Sequence, residues 1–337
     1  MSRRGVVASV VALLLAGVVA TVIAVSADGD GARQSTAREN IWLPLRSSEL
    51  QRTEVAAARV GRYVYVAGGF EKRSGKSTAA VERYDIEADR WRRVRSMPAA
   101  LNHPAAAVWG GNVYVLGGYS SQGDLKGEVS SLYRYSPRTN RWRRLPSAPT
   151  KRGALALGAI RGRLYAAGGA NASGALSRLE IYDVERRRWS RGPDMAFARE
   201  HLAGAVSDGA FYALAGRAAG QGNFSFVERY LPAQRRWERL PSMKKPRGGI
   251  AAATVGRRVI VFGGEEAGGT IEDVEMYDPK LRRWTGLPDM RTPRHGLGGV
   301  ARGKRVYAIE GGTKPGFFFS HANEALDIAP ARIAGGS

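Results

Sequence analysis

A pair of glycines returns along this chain about every fifty residues, each time after a short apolar run. The pairs are Gly68-Gly69, Gly117-Gly118, Gly168-Gly169, Gly263-Gly264 and Gly311-Gly312, with Ala215-Gly216 filling the remaining gap. Tryptophan keeps the same step at Trp42, Trp91, Trp142, Trp189, Trp237 and Trp284. A tyrosine stands seven residues before five of them, at Tyr84, Tyr135, Tyr182, Tyr230 and Tyr277. A glycine-rich chain of low complexity would not hold its glycines in register with its aromatics. Repetition at this period implies an array of like units, each burying its apolar face against the next.

Each unit reads as strands. Tyr63-Val-Tyr-Val66 and Val113-Tyr-Val-Leu116 are short apolar runs rich in β-formers. They follow turn signals, Val60-Gly61-Arg62 and Gly110-Gly111-Asn112, of the kind that tight hairpins need. The double glycine suits a strand that ends where backbones crowd. Tyr and Trp are large enough to fill the space between adjacent sheets. Together these features resemble the kelch motif, over about residues 41 to 329. The resemblance implies an all-β fold, a β-propeller with one four-stranded blade per repeat. It says little about function, because propellers host unrelated activities.

The two ends of the repeat region are complementary. Ile41-Trp-Leu-Pro-Leu45 carries a repeat tryptophan with no strands before it, and the last repeat, with Glu324-Ala-Leu-Asp327, has no tryptophan after it. Pairing the two closes a six-bladed ring and removes its exposed edges. If the strands are lettered a to d outward from the channel, the a–b and c–d turns share one face. The b–c and d–a loops share the other.

Ahead of the propeller, Met1-Ser-Arg-Arg4 precedes Val6 to Val25, a stretch without charge. It reads as an N-terminal hydrophobic helix over residues 1–27, either a signal peptide cleaved after Ala27 or an uncleaved anchor, since about 20 apolar residues span a bilayer. Residues 28–40 read as a linker, 41–329 as the propeller and 330–337 as a tail. The expected location is extracytoplasmic in a bacterium, secreted, periplasmic or membrane-anchored.

The formal net charge is +22, mostly arginine, and cysteine is absent. Without cysteine there are no disulfides, thiolate metal sites or thiol nucleophiles. Among kelch-type proteins, a crosslinked-tyrosine oxidase is thereby excluded. No nucleophile elbow, zincin, Walker or dinucleotide fingerprint appears, and no cofactor is expected. Arginines crowd the c–d turns (Arg90 to Arg93, Arg141 to Arg144, Arg186 to Arg188, Arg235-Arg236, Arg282-Arg283) and the a–b turns. A basic face of this kind favours an anionic membrane or cell-wall surface, and the location disfavours nucleic acid. A monomer is expected.

The loop face holds the candidate site. Arg52, Arg152, Arg199, Arg247 and Arg294 recur before strand a in five blades, the exception carrying Leu101-Asn102-His103. His103, His201 and His295 lie in the same short segments. In kelch proteins, arginines placed like these often contact acidic peptides or sugar carboxylates, because guanidinium matches carboxylate in a bidentate fashion. The resemblance therefore implies a binding module for an anionic sugar or acidic peptide. The alternative use of the same arginines is to bind neighbouring loop carbonyls. A second reading is a sugar epimerase of the sialate mutarotase kind, with Glu200 as candidate base and Glu54 after it. A third is a structural envelope protein. No metal site is expected, because the three histidines come from different blades. Phe317-Phe318-Phe319 in the last b–c loop would cap the channel or dock a ligand.

Overall fold

The computed structural model describes residues 41–328. The expected N-terminal helix, linker and tail fall on residues outside this range. The described chain is all strand and turn, arranged as six antiparallel four-stranded sheets. The first contains Ala56–Val60, Tyr63–Ala67, Val81–Asp85 and Arg90–Val94 in order a to d from the channel outward, and the next four blades repeat it. In the sixth, Gly298–Arg302, Arg305–Ile309 and Asn323–Asp327 are completed by Leu43–Leu45, with Leu43 opposite Ala325 and Leu45 opposite Asn323. The ring therefore closes as the two ends of the repeat region imply. Each inner strand neighbours those of its two flanking blades, and the cycle returns to its start.

The aromatics hold the blades together. Tyr84 packs on Trp91 at 5.0 Å between ring centroids, and the next four Tyr–Trp pairs lie at 5.0 to 5.4 Å. Each indole N–H also reaches a carbonyl of the preceding blade. Trp91 donates to Arg46 at 2.8 Å, Trp142 to Arg95 at 2.8 Å, and Trp42 to Pro288 across the closure at 3.0 Å. Where Leu326 replaces tyrosine, Trp42 packs instead against Phe262 of blade 5. A buried Trp supplies both apolar area and a directed hydrogen bond, so each one locks an angle between sheets.

The glycine after strand b adopts a left-handed backbone, φ 69° at Gly68, and a Cβ there would come 2.5 Å from the carbonyl of Leu101. In the sixth blade this position is Glu310, φ 54°, and Gly311 is its second residue. The repeat thus sits one residue earlier there than the visible Gly311-Gly312 pair suggests.

Candidate functional site

The five repeat arginines do not stand at the mouth. Each is at most 1% exposed and lies inside the ring, paired with a glutamate of strand c in its own blade. The pairs are Arg52–Glu82 at 2.9 Å, Arg152–Glu180 at 2.7 Å, Arg199–Glu228 at 3.0 Å, Arg247–Glu275 at 2.8 Å and Arg294–Glu324 at 3.1 Å. Some of their other N–H groups donate to carbonyls at the end of strand b or just before strand c, as those of Arg247 do to Gly263 and Asp273. The expectation that these guanidinium groups receive a ligand carboxylate is corrected: internal carboxylates already occupy them. Burial draws Arg199 and Arg294 down to about 10, which leaves them charged at neutral pH. Arg52 is shared by two carboxylates, since Glu310 also binds it at 2.9 Å. Burial and Glu310 together push Glu82 up to about 7.

Two residues beyond each arginine position lies a second ring: Glu54, His103, Ala154, His201, Gly249 and Gly296. All six have a left-handed backbone, with φ between 51° and 67°. A belt of backbone hydrogen bonds runs through it. His103 donates to Glu54, Ala154 to His103, His201 to Ala154, Gly249 to His201 and Gly296 to Gly249, at 2.8 to 3.0 Å; Val55 closes it by donating to Gly296 at 3.2 Å. The belt surrounds one end of a channel cavity of about 140 Å³.

The side chains of this ring meet over the channel. His103 Nε2 lies 2.9 Å from His201 Nε2 and 3.1 Å from Glu54 Oε2. Glu54 Oε1 accepts from His295 Nδ1 at 3.1 Å, and His295 also lies 3.4 Å from Glu265. His201 Nδ1 donates to Glu200, whose other oxygen accepts from Arg217 Nε at 2.9 Å. Arg217 continues to Glu265 at 2.7 Å. The structure thus brings together His103, His201, His295, Glu54 and Glu200, and adds Arg217 and Glu265 from the b–c loops. His321 lies exposed, apart from them. Different blades did not keep the histidines apart, because equivalent inner positions of six narrow blades converge on one axis.

Burial lowers His103 and takes His201 well below its ordinary value. His295 is raised: burial acts downward, but its hydrogen bond to Glu54 and the Glu54 and Glu265 charges outweigh it. Glu54 is buried, which acts upward, yet the three histidines hold it below the usual carboxylate range. Against the carboxylates Glu54, Glu200 and Glu265 this mouth has one guanidinium, Arg217, so its field favours a cation over an anion. Beside it, Phe317 and Phe318 are about half exposed, and Phe317 packs at 4.7 Å on Phe70, which borders His103.

The KLHDC2/KLHL20/DRC7 Kelch-repeats domain profile matches residues 54–246, and the Kelch motif profile matches residues 246–291. The chain belongs to the kelch-repeat family. Among kelch relatives, the Kelch-like protein terF of Aspergillus terreus is 31% identical over 238 residues, 66% of this chain and 52% of that protein. Kelch-like protein 34 of Homo sapiens is 32% identical over 154 residues, 43% of this chain and 24% of that one. The chain therefore spans about half the length of the fungal relative and a quarter of the human one. In three dimensions it is similar to the solved structure of YjhT, with a TM-score of 0.72 at 16% identity, covering 83% of this chain and 95% of that one. At that identity the likeness concerns the fold alone.

Proposed function

We propose that this kelch domain is an extracytoplasmic interaction module, docked through its turn face on an anionic membrane, with the loop face turned toward a partner. The observation that carries this reading is the unequal charge of the two ends of the channel. Arg138, Arg141, Arg188 and Arg283 of the c–d hairpins are exposed and make no ion pair with any described residue. Large apolar side chains are exposed among them, Ile41, Trp109 and Leu281. Arginine beside exposed Trp and Leu suits the headgroup boundary of a bilayer, where indole and aliphatic groups sit at the interface and each basic residue contributes about 1 kcal/mol. Ile41 leads directly into the outer strand of blade 6 from this same face, and the uncharged stretch at residues 6–25 has the length of a membrane tether. Of the two anionic partners expected from the sequence, this reading keeps the surface at the turn face and drops the sugar or acidic peptide at the mouth.

The unit Arg38–Ser337 tests this without its hydrophobic segment. It is expected to sediment with vesicles containing phosphatidylglycerol, to ignore neutral vesicles, and to be released as salt shortens the screening length below about 8 Å. Reversing Arg138, Arg141, Arg188 and Arg283 to Glu should abolish the association while leaving the unfolding curve in place. Equal binding to neutral vesicles would reject the reading.

A further inference from the structure

The hydrogen bonds behind the mouth histidines fix their tautomers. Asn102 uses its Nδ2 as donor to Ser77 Oγ at 2.8 Å and to the Tyr119 carbonyl at 3.3 Å, so its Oδ1 faces His103 Nδ1, at 2.6 Å. That nitrogen must carry the proton. His201 Nδ1 faces the Glu200 carboxylate and must carry its proton too. Both Nε2 atoms are therefore bare lone pairs, yet they point at each other at 2.9 Å, with the Glu54 carboxylate 3.1 Å from one of them. Three acceptors converge with no hydrogen among them, an arrangement that a bound cation satisfies.

We propose that Glu54, His103 and His201 form a binding site for a divalent first-row transition metal ion, with zinc as the reference case and an open coordination position facing the channel. The donor set of two imidazoles and one carboxylate suits such ions. The donor atoms lie within 4.8 Å of one another. With zinc–nitrogen bonds of about 2.0–2.1 Å, a tetrahedral edge is about 3.3 Å, so edges of 2.9 and 3.1 Å need only a few tenths of adjustment. Each ligand also has the outer partner that orients metal-bound side chains: Asn102 behind His103, Glu200 behind His201, and His295 behind Glu54.

The backbone supplies an independent argument. A side chain at a left-handed position costs about 1–2 kcal/mol, and such strain gathers at functional sites. Of the six ring positions, three carry glycine or alanine, and the other three carry the proposed ligands. The small residues also leave the space the ligands need. A Cβ on Gly296 would come 2.5 Å from Glu54 Oε1. The site is separate from the turn face and stands without the membrane reading.

The untagged full-length chain, stripped with chelator and dialysed, should bind one zinc ion on calorimetric titration with zinc chloride. Cobalt(II) in the same site should give the intense visible absorption of a low-coordinate ion. His103→Ala and His201→Ala should each weaken zinc binding by more than about 100-fold, Asn102→Ala by about 10- to 100-fold, and His321→Ala not at all. Near-ultraviolet dichroism checks the fold of each variant. If the alanine variants do not fold, His103→Gln and Glu54→Gln carry the same expectation. A wild-type chain that binds no zinc would show that a proton satisfies the lone pairs and would overturn the proposal. Zinc binding that survives loss of both His103 and His201 would overturn it as well.

Discussion

Two rings lie two residues apart in this propeller and follow opposite rules. The outer ring repeats one residue, Arg52, Arg152, Arg199, Arg247 and Arg294, and every copy is buried against a glutamate of its own blade. The inner ring repeats one backbone conformation but keeps no single residue type, passing from Glu54 through His103, Ala154 and His201 to Gly249 and Gly296. Repetition of a side chain here marks the scaffold, because every blade must solve the same packing problem. Departure from it marks chemistry, because a single axis cannot be served by six identical groups.

The comparison is broken most directly at the outer ring. Removing one member of a buried ion pair leaves the other charged and unpartnered, at about 3–5 kcal/mol. Arg247→Met should therefore lower stability by about that amount in a denaturant titration, and so should Arg152→Leu. Blade 2 indicates how to restore it. There Leu101 stands in the arginine position and Tyr133 in the glutamate position, both buried in one apolar cluster. Arg152→Leu combined with Glu180→Tyr should recover most of the loss. A double variant as unstable as the single one would mean that the pair does more than fill and neutralise that space.

The blade 2 exchange shows what the sequence carried and what it hid. The double glycines, the Tyr–Trp spacing and the unpaired Trp42 made the propeller and its closure legible, since each signal is local and its period survives on the page. The glutamate partners were equally local: Glu82, Glu180, Glu228 and Glu275 each stand two residues before the strand-c tyrosine, and the one blade lacking the arginine lacks the glutamate too. Without its glutamate each arginine has the look of a free guanidinium at the mouth; with it, the pair is a buried unit of the blade. The meeting of His103 with His201 was not legible, because it depends on how narrow the channel is at that level. The shifted register at Glu310-Gly311 was masked by the neighbouring Gly312.

A smaller effect separates Arg52 from its four counterparts. It alone is shared by two carboxylates, and Glu82 is pushed up to about 7 by burial and by Glu310. A carboxyl raised in the folded state holds its proton better there than in the unfolded chain. Its contribution is complete below the ordinary glutamate range and fades as pH rises through about 7. Glu82→Gln should remove that part of the decline. Its stability difference from wild type should therefore shift in its favour between about pH 5 and 8, by about 1–3 kcal/mol. A difference independent of pH would mean that Glu82 titrates normally.

The gentlest probe lies in the inner ring, at the one member with a side chain and no chemistry. Ala154 holds φ 52° and donates in the backbone belt like its neighbours. Relieving a left-handed alanine gains about 1–2 kcal/mol. The extra freedom of glycine in the unfolded chain returns about 0.4–1 kcal/mol of that. Ala154→Gly should thus stabilise the protein by about 0.5–1 kcal/mol, visible as a higher denaturant midpoint at unchanged slope, with zinc affinity unaltered because no ligand is touched. The prediction bears on the ligands through their shared backbone. If glycine at 154 lowers stability instead, left-handed positions in this belt carry no strain that glycine relieves, and the side chains of Glu54, His103 and His201 no longer need a bound ion to account for their place there.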